Sequence, residues 1–468
     1  MATELARFSN RAGLLAATLL LAACAGPRPT PPAATSITAP ENWREPTADG
    51  GTVTADWWAA FGDPALDALV QKALTQNIDL SVAAARVAEA RAQFQGAAGA
   101  QLPQLELVAG GGPQRALNAF GIGTNQTAGQ AQAQIAWDTD LFGRLSNATA
   151  AARAQLLATQ AAQDGVRLSV VSAVASGYFG LRALDARLAV LEDTATARRE
   201  ALRLATRRAS TGYSPLLEQR QAEAELEAAG ALIPTTRLAI KRQEDGLSLL
   251  LGDLPGAIPR GQALAELRPA TAAPGQPAAL LRRRPDIAQA EQALVAADRS
   301  LDSARAAFMP SVRLTAAGGF VDSTLLPDPV SIFSLGGSIL APIFEGGRLR
   351  AQADQAAARR DQAAFLYRRQ ALVAFREVED SLAAISRTDE QIAKLSAQRD
   401  SLAEVLRMAS NRYRAGYSPY LEQLDAQRAL LAAELGLVQA RSDALTARVQ
   451  LFQALGGGWA EGREQGPG

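Results

Sequence analysis

The chain has 468 residues, with 47 Lys plus Arg against 47 Asp plus Glu, no histidine and one cysteine. Without histidine there is no imidazole base, no His metal ligand and no Ser-His or Cys-His nucleophile pair, and one cysteine permits neither an intrachain disulfide nor a cysteine metal cluster. The balanced charge makes no electrostatic case for nucleic acid, so no cofactor, metal or nucleic-acid partner is expected, and only carboxylate chemistry is left to an enzyme.

At the N-terminus, Arg7 and Arg11 flank the start of a 12-residue apolar run, Ala12 to Ala23. It is too short for a spanning helix and has the length of a signal-peptide core. It ends Leu21-Ala22-Ala23-Cys24, which resembles a bacterial lipobox. That resemblance implies a signal peptide over 1–23 and an acylated Cys24 as the first mature residue. Ala25, where an inner-membrane retention signal would have Asp, favours the outer membrane. Residues 24–56 read as a lipidated N-terminus and extended tether, since 25–40 are rich in Pro, Ala and Thr. Folded structure is expected from Trp57, with Asp63 as N-cap and Pro64 as first helical residue.

From there the chain is duplicated. Gly212-Tyr213-Ser214-Pro215-Leu216-Leu217-Glu218-Gln219 matches Gly416-Tyr417-Ser418-Pro419-Tyr420-Leu421-Glu422-Gln423 at seven of eight positions, at an offset of 204. The same offset relates Leu251-Gly252 to Leu455-Gly456 and Arg144 to Arg348; an offset of 207 relates Asp79 to Asp286 and Pro103 to Pro310. The expected organisation is a first repeat over 57–252, a linker over 253–283, a second repeat over 284–456 and a tail over 457–468.

Each repeat opens with a helical stretch, Ala65 to Ala100 and Ile287 to Phe308, ahead of a proline. A period of two follows. Residues 130–137, 312–316 and 333–339 alternate apolar with polar or small side chains, and Leu105, Leu107 and Ala109 give a weaker fourth case. With Pro, Gly and Asn at 110–126 and 322–330 as loops, each repeat carries one β-hairpin. Then come two proline-free helices, Arg144 to Ser210 and Arg348 to Arg414, each about 100 Å long by the helical rise. Return helices run from Pro215 to Leu251 and Pro419 to Leu455. Ser214 and Ser418 are their expected N-caps, and Gly252 and Gly456 their C-terminal glycines. Pro234 predicts a kink or break in the first return helix; the second has Val438 there.

Past the signal no apolar run is long enough for a membrane helix. Strands with one apolar and one polar face suggest a membrane β-barrel, but four strands are too few, since such barrels have about eight or more. Other copies of the chain must close the edges. The expected fold is mixed α and β: an oligomeric β-barrel continued by a long antiparallel α-helical barrel.

Trp57-Trp58 with Phe61-Gly62-Asp63-Pro64, Tyr178-Phe179 with Leu181-Arg182-Ala183-Leu184-Asp185, Arg284-Pro285-Asp286-Ile287, Arg376-Glu377-Val378-Glu379-Asp380 and Tyr413-Arg414-Ala415-Gly416 together resemble the TolC-type outer-membrane factors. The match is to the lipoprotein (NodT or OprM-like) branch serving resistance-nodulation-division pumps. The resemblance implies a homotrimer with twelve strands, twelve packed helices and an equatorial belt, lipid-anchored in the outer membrane and reaching into the periplasm. It implies a passive duct for small toxic compounds or drugs, with a periplasmic adaptor and an inner-membrane resistance-nodulation-division transporter as partners. A type I protein-secretion duct and a non-transport envelope lipoprotein are the alternatives; no enzyme is implied.

Glu422 and Asp425 lie at i and i+3 just past the second hairpin turn, with Arg428 three further on. The resemblance places such an acidic pair at the periplasmic pore tip, with Leu421 as the gate's apolar member; otherwise the trio is a solvated helix face. Arg428 is expected to pair with Asp425, and the Tyr413 hydroxyl to bond the neighbouring hairpin. Gly212, Tyr213, Gly416 and Tyr417, at the tips, are the expected adaptor contacts. The arginines of 198–208 are a solvated face or an adaptor contact, and Trp137, Phe142, Phe320 and Phe344 are a candidate aromatic girdle.

Overall fold

The computed structural model describes residues 27–45, 53–117 and 120–459; Cys24 and the signal sequence lie outside them. Trp57–Phe61 is a 3-10 turn, and Pro64–Gln76 (α1) follows it, capped as expected: Asp63 Oδ1 accepts from the Ala65 N–H at 2.8 Å. The single helix expected over 65–100 is in fact two, because Ile78–Gly99 (α2) starts after an extended Asn77 (φ −63°, ψ 132°). The Asn77 side chain competes with the helix: its Oδ1 accepts from the Leu80 N–H at 3.1 Å and its Nδ2 donates to the Leu250 carbonyl at 2.8 Å.

Four strands form one antiparallel sheet in chain order: Gln104–Leu117 (β1), Gly123–Asp138 (β2), Ser311–Ser323 (β3) and Val330–Leu340 (β4). The two hairpins join through β2 and β3. Much of the first expected loop, 110–126, is strand instead, whereas the second, 322–330, is loop over 324–329. β1 runs on through Gly110-Gly111-Gly112-Pro113, with Pro113 opposite Thr127 of β2. Gly111 marks close approach, not a turn: a Cβ there would lie 2.6 Å from the Ala128 carbonyl oxygen. Cross-strand partners share a face, so the register sorts the side chains. Leu105, Ile135, Ala316 and Leu335 form one row, and Leu107, Ala133, Gly318 and Phe333 the next; Glu106, Gln134, Ala317 and Ser334 lie on the other face. Within this chain the apolar face is uncovered, with Leu107 85% and Phe333 90% exposed.

Arg144–Ser210 (α3) has the expected bounds. Asp140, a non-glycine at φ 49°, aims its carboxylate at the free amides of Leu145 and Ser146, both 2.7 Å away. Leu216–Leu250 (α4) contains Pro234 without breaking. A short turn, Pro277–Leu280 (α5), precedes Pro285–Ala306 (α6), Arg348–Ala415 (α7) and Tyr420–Ala454 (α8). Ser214 and Ser418 are not the caps of α4 and α8. Pro215 and Pro419 hold those positions with extended ψ (148° and 159°), each helix starts one residue later than expected, and both serine Oγ atoms are buried without a hydrogen-bond partner.

The described residues divide into two compact units, one of residues 27–37, 85–117, 120–160 and 289–369, the other of 38–45, 53–84, 161–288 and 370–459. The first unit contains the sheet. In it, extended residues from Pro27 onward are bound to α6 and α7: Arg28 pairs with Asp298 at 2.8 Å and Asp302 at 3.0 Å, and the fully buried Arg360 donates to the Pro29 carbonyl at 2.9 Å. Exposed pairs of this kind contribute at most about 1 kcal/mol. Arg28→Ala is therefore expected to speed limited proteolysis within 27–37 by about two- to five-fold, and Arg360→Ala by more. N-terminal mass analysis of the digest reads this.

In the second unit the duplication appears as repeated contacts. Asn77 reaches the Leu250 carbonyl, and Arg284 Nη1 reaches the Ala454 carbonyl at 2.9 Å. Gly252 (φ 73°) abuts the Gln76 carbonyl, and Gly456 (φ 87°) the Arg283 carbonyl. Each pair obeys the offsets 204 and 207. The same unit holds an aromatic core in which Trp57 stacks on Phe452 at 5.0 Å and Phe61 meets Phe179 at 4.8 Å.

Candidate functional site: the hairpin tips

Both turns lie in the second unit and are built alike. Gly212 (φ 73°) and Gly416 (φ 83°) take the left-handed conformation that ends α3 and α7. The Tyr213 N–H then returns to the Arg208 carbonyl at 2.8 Å, and the Tyr417 N–H to the Arg412 carbonyl at 2.9 Å. Tyr213 and Tyr417 are 67% and 81% exposed. The turns touch: a Cβ on Gly416 would lie 2.6 Å from Tyr213 Oη.

On α8, Leu421, Glu422, Asp425 and Arg428 form one exposed stripe, while Gln423, Leu424, Ala426 and Gln427 are buried. The spacing of Glu422, Asp425 and Arg428, three residues apart, read from the sequence thus marks one outward face, which the exposed Leu421 borders. Glu422 pairs with Arg412 at 3.3 Å. Arg428 does not pair with Asp425. Its Nε donates to Glu225 Oε1 of α4 at 2.9 Å, with Nη2 on the same oxygen. Glu225 is buried and Arg198 of α3 lies against it, Nη1 to Oε2 at 3.1 Å, so the carboxylate is held where the dielectric is low and attraction strong. Asp425 stays in solvent, where a similar contact is weaker.

Tyr413 is buried and its hydroxyl donates to Glu218 Oε2 at 3.1 Å, which links the second hairpin to the first. Its ring meets Tyr420 at 5.5 Å. Arg208 lies over the rings of Tyr413 (4.4 Å) and Tyr213 (5.1 Å) and donates Nη2 to the Arg414 carbonyl at 3.1 Å, a cation at the C-terminal end of α7. Burial, then the nearby Glu225 charge, pushes the Tyr420 hydroxyl up to about 12. Below these rings lie small side chains, Ala201, Ala205 and Ala222, with Leu424.

Arg198, Arg208 and Glu225 did not stand out in the sequence as members of this site; the arginine run 198–208 looked like a solvated face. The signal that could have found the acids is the seven-residue spacing of Glu218 and Glu225, which puts both on one side of α4. Among the described residues no group of His, Cys, Asp or Glu is placed to hold a metal. The arrangement can join or release two helical hairpins and present a stripe of charge.

The outer membrane efflux protein family model matches residues 69–253 and 277–457. The chain is similar to the pyoverdine export outer membrane protein OpmQ of Pseudomonas aeruginosa, 33% identical over 466 residues, covering 96% of this chain and 97% of that one. It is also similar to the toluene efflux pump outer membrane protein TtgI of Pseudomonas putida, 35% identical over 407 residues, covering 86% and 87%. Among solved structures it resembles the outer-membrane channel OprN with a TM-score of 0.85 at 28% identity, covering 93% of this chain and 99% of that one. The motifs, the two-faced sheet, the paired helical hairpins and these matches agree: the chain belongs to the outer membrane efflux protein family.

Proposed function

We propose that three copies of this chain close their sheets into a twelve-stranded outer-membrane barrel, continue it with twelve helices into the periplasm, and form the exit duct of a tripartite efflux pump. The observation that carries this is the four-stranded sheet, with its uncovered apolar face and two edges left open in one chain. In lipid the apolar face is satisfied, but open edges are not tolerated, so other copies must pair with β1 and β4. The names of OpmQ and TtgI support small organic molecules as cargo. An acylated Cys24 adds a second hold on the membrane. The partners are a periplasmic adaptor, met by Gly212, Tyr213, Gly416 and Tyr417, and a resistance-nodulation-division transporter. Leu421, Glu422, Asp425, Arg428 and Tyr413 form the periplasmic gate, with Glu422 and Asp425 as two acidic rings about 4.5 Å apart along the axis. Such rings make the open pore cation-selective.

Mass determination in detergent before and after boiling tests the assembly: a trimer that falls to monomer only on heating is expected, and a monomer without heating overturns it. In planar bilayers the parent is expected to conduct poorly. Asp425→Ala and Arg428→Ala should raise conductance several-fold and admit vancomycin to cells. Parent-like conductance in both removes the gate from these residues.

A further inference from the structure

We infer that Glu225, held in place by Arg198, is the positioning residue for the gate: it keeps the second hairpin closed by binding Arg428, while the first hairpin serves as the fixed frame. This rests on the gate reading above and moves its control from α8 to α4. Three observations carry it.

The first is an asymmetry of burial. The side chains of Arg198 and Glu225 are 4% and 11% exposed and both belong to the first hairpin, whereas Arg428, from the second, is 55% exposed. Arg198 Nη1 also donates to the Glu225 backbone carbonyl at 2.7 Å, so the buried charge is compensated and oriented within one hairpin. A buried carboxylate stripped of all partners is costly. Here Arg428 can leave and return without stranding one, because Arg198 stays.

The second is the spacing of the cross-hairpin contacts. Glu218 takes the Tyr413 hydroxyl, and Glu225, two turns along α4, takes Arg428. Two acids on one side of one helix therefore hold two points of the second hairpin in register.

The third is the seam itself. On the buried side of α8, Tyr420 Oη, Gln423 Oε1 and Gln427 Oε1 are enclosed without hydrogen-bond partners, as is Arg198 Nε. An apolar seam would resist parting, since separation would expose it to water. Unpartnered polar groups gain hydrogen bonds when water enters. These groups thus offset part of the cost of exposing the apolar cluster of Tyr413, Tyr420 and Leu424 on Ala201, Ala205 and Ala222 once Arg428 lets go.

A double-mutant cycle on single-channel conductance tests this, in purified oligomer whose mass is checked for each variant. Glu225→Gln and Arg428→Gln are each expected to raise conductance several-fold, and the double variant to go no further than the larger single, because both break one contact. Glu225→Asp keeps the charge beside Arg198 but shortens its reach, so it should open the channel while assembling normally, which answers any folding defect of Glu225→Gln. Arg428→Lys should restore part of the closure. If Arg428→Gln opens the channel and Glu225→Asp and Glu225→Gln do not, Arg428 acts through another group and the inference fails while the gate reading stands. If Asp425→Ala, Arg428→Gln and both Glu225 variants all conduct like the parent, both fail. Additive opening in the double variant also overturns the latch.

Discussion

Asp63→Ala is expected to cost about 3–5 kcal/mol of stability, read as a lower thermal midpoint in circular dichroism at 222 nm. The Asp63 carboxylate is fully buried and accepts three hydrogen bonds: the Ala65 N–H at 2.8 Å, the Tyr178 hydroxyl at 2.7 Å and the Gln262 N–H at 3.0 Å. Losing the cap on α1 costs about 1 kcal/mol, and each donor left buried and unpaired adds about 1–3 kcal/mol. The site has little room to rearrange, since a Cβ on Gly261 would lie 2.6 Å from Asp63 Oδ2. Burial, then the Asp63 hydrogen bond, pushes the Tyr178 hydroxyl up to about 12. The folded state thus holds this proton more tightly than the unfolded chain does. Its contribution is complete below pH about 10 and is lost as pH rises toward about 12. Tyr178→Phe should flatten part of that alkaline loss; Tyr420, whose hydroxyl is also pushed up to about 12, and Tyr413 and Tyr367, which burial also pushes up, share the rest. An unchanged midpoint for Asp63→Ala would show that the three contacts carry no net stability.

Gly456→Ala should be nearly as damaging, at about 3 kcal/mol. Two costs add: a left-handed φ of 87°, worth about 1–2 kcal/mol for a residue with a Cβ, and overlap of that Cβ with the Arg283 carbonyl oxygen, worth about 1–3 kcal/mol. The neighbouring atom is backbone, and Arg284 ties this strand of chain to the end of α8 through the Ala454 carbonyl, so it cannot swing aside. Gly252→Ala repeats the insult in the first half, against the Gln76 carbonyl at φ 73°. Both variants should lower the thermal midpoint by similar amounts, because the two contacts are copies. A large effect at one glycine and none at the other would show that the halves have diverged in how they close.

The sequence by itself determined the duplication, the bounds of the long helices and the two-faced character of the strands. Those features depend on residues close in the chain: helix formers without proline over Arg144 to Ser210, alternation along Phe333 to Ile339, and the glycines at 212, 252, 416 and 456. It also marked Glu422, Asp425 and Arg428 as one helix face, since that follows from the helical period alone, while Leu421 came from the family resemblance.

Tertiary structure decided what depends on residues far apart. Asn77 breaks a helix because Leu250 offers it a carbonyl 173 positions away. Gly110 to Pro113 stays in β1 because the neighbouring strand comes close, although locally it reads as a turn. Arg428 has two acids within reach, Asp425 one turn before it and Glu225 on another helix. The local one lies in water, where attraction is weak; the distant one is buried beside Arg198, where attraction is strong. Periodicity tells which way a side chain faces. What it meets there is set by which helix packs opposite and how much water is left between them.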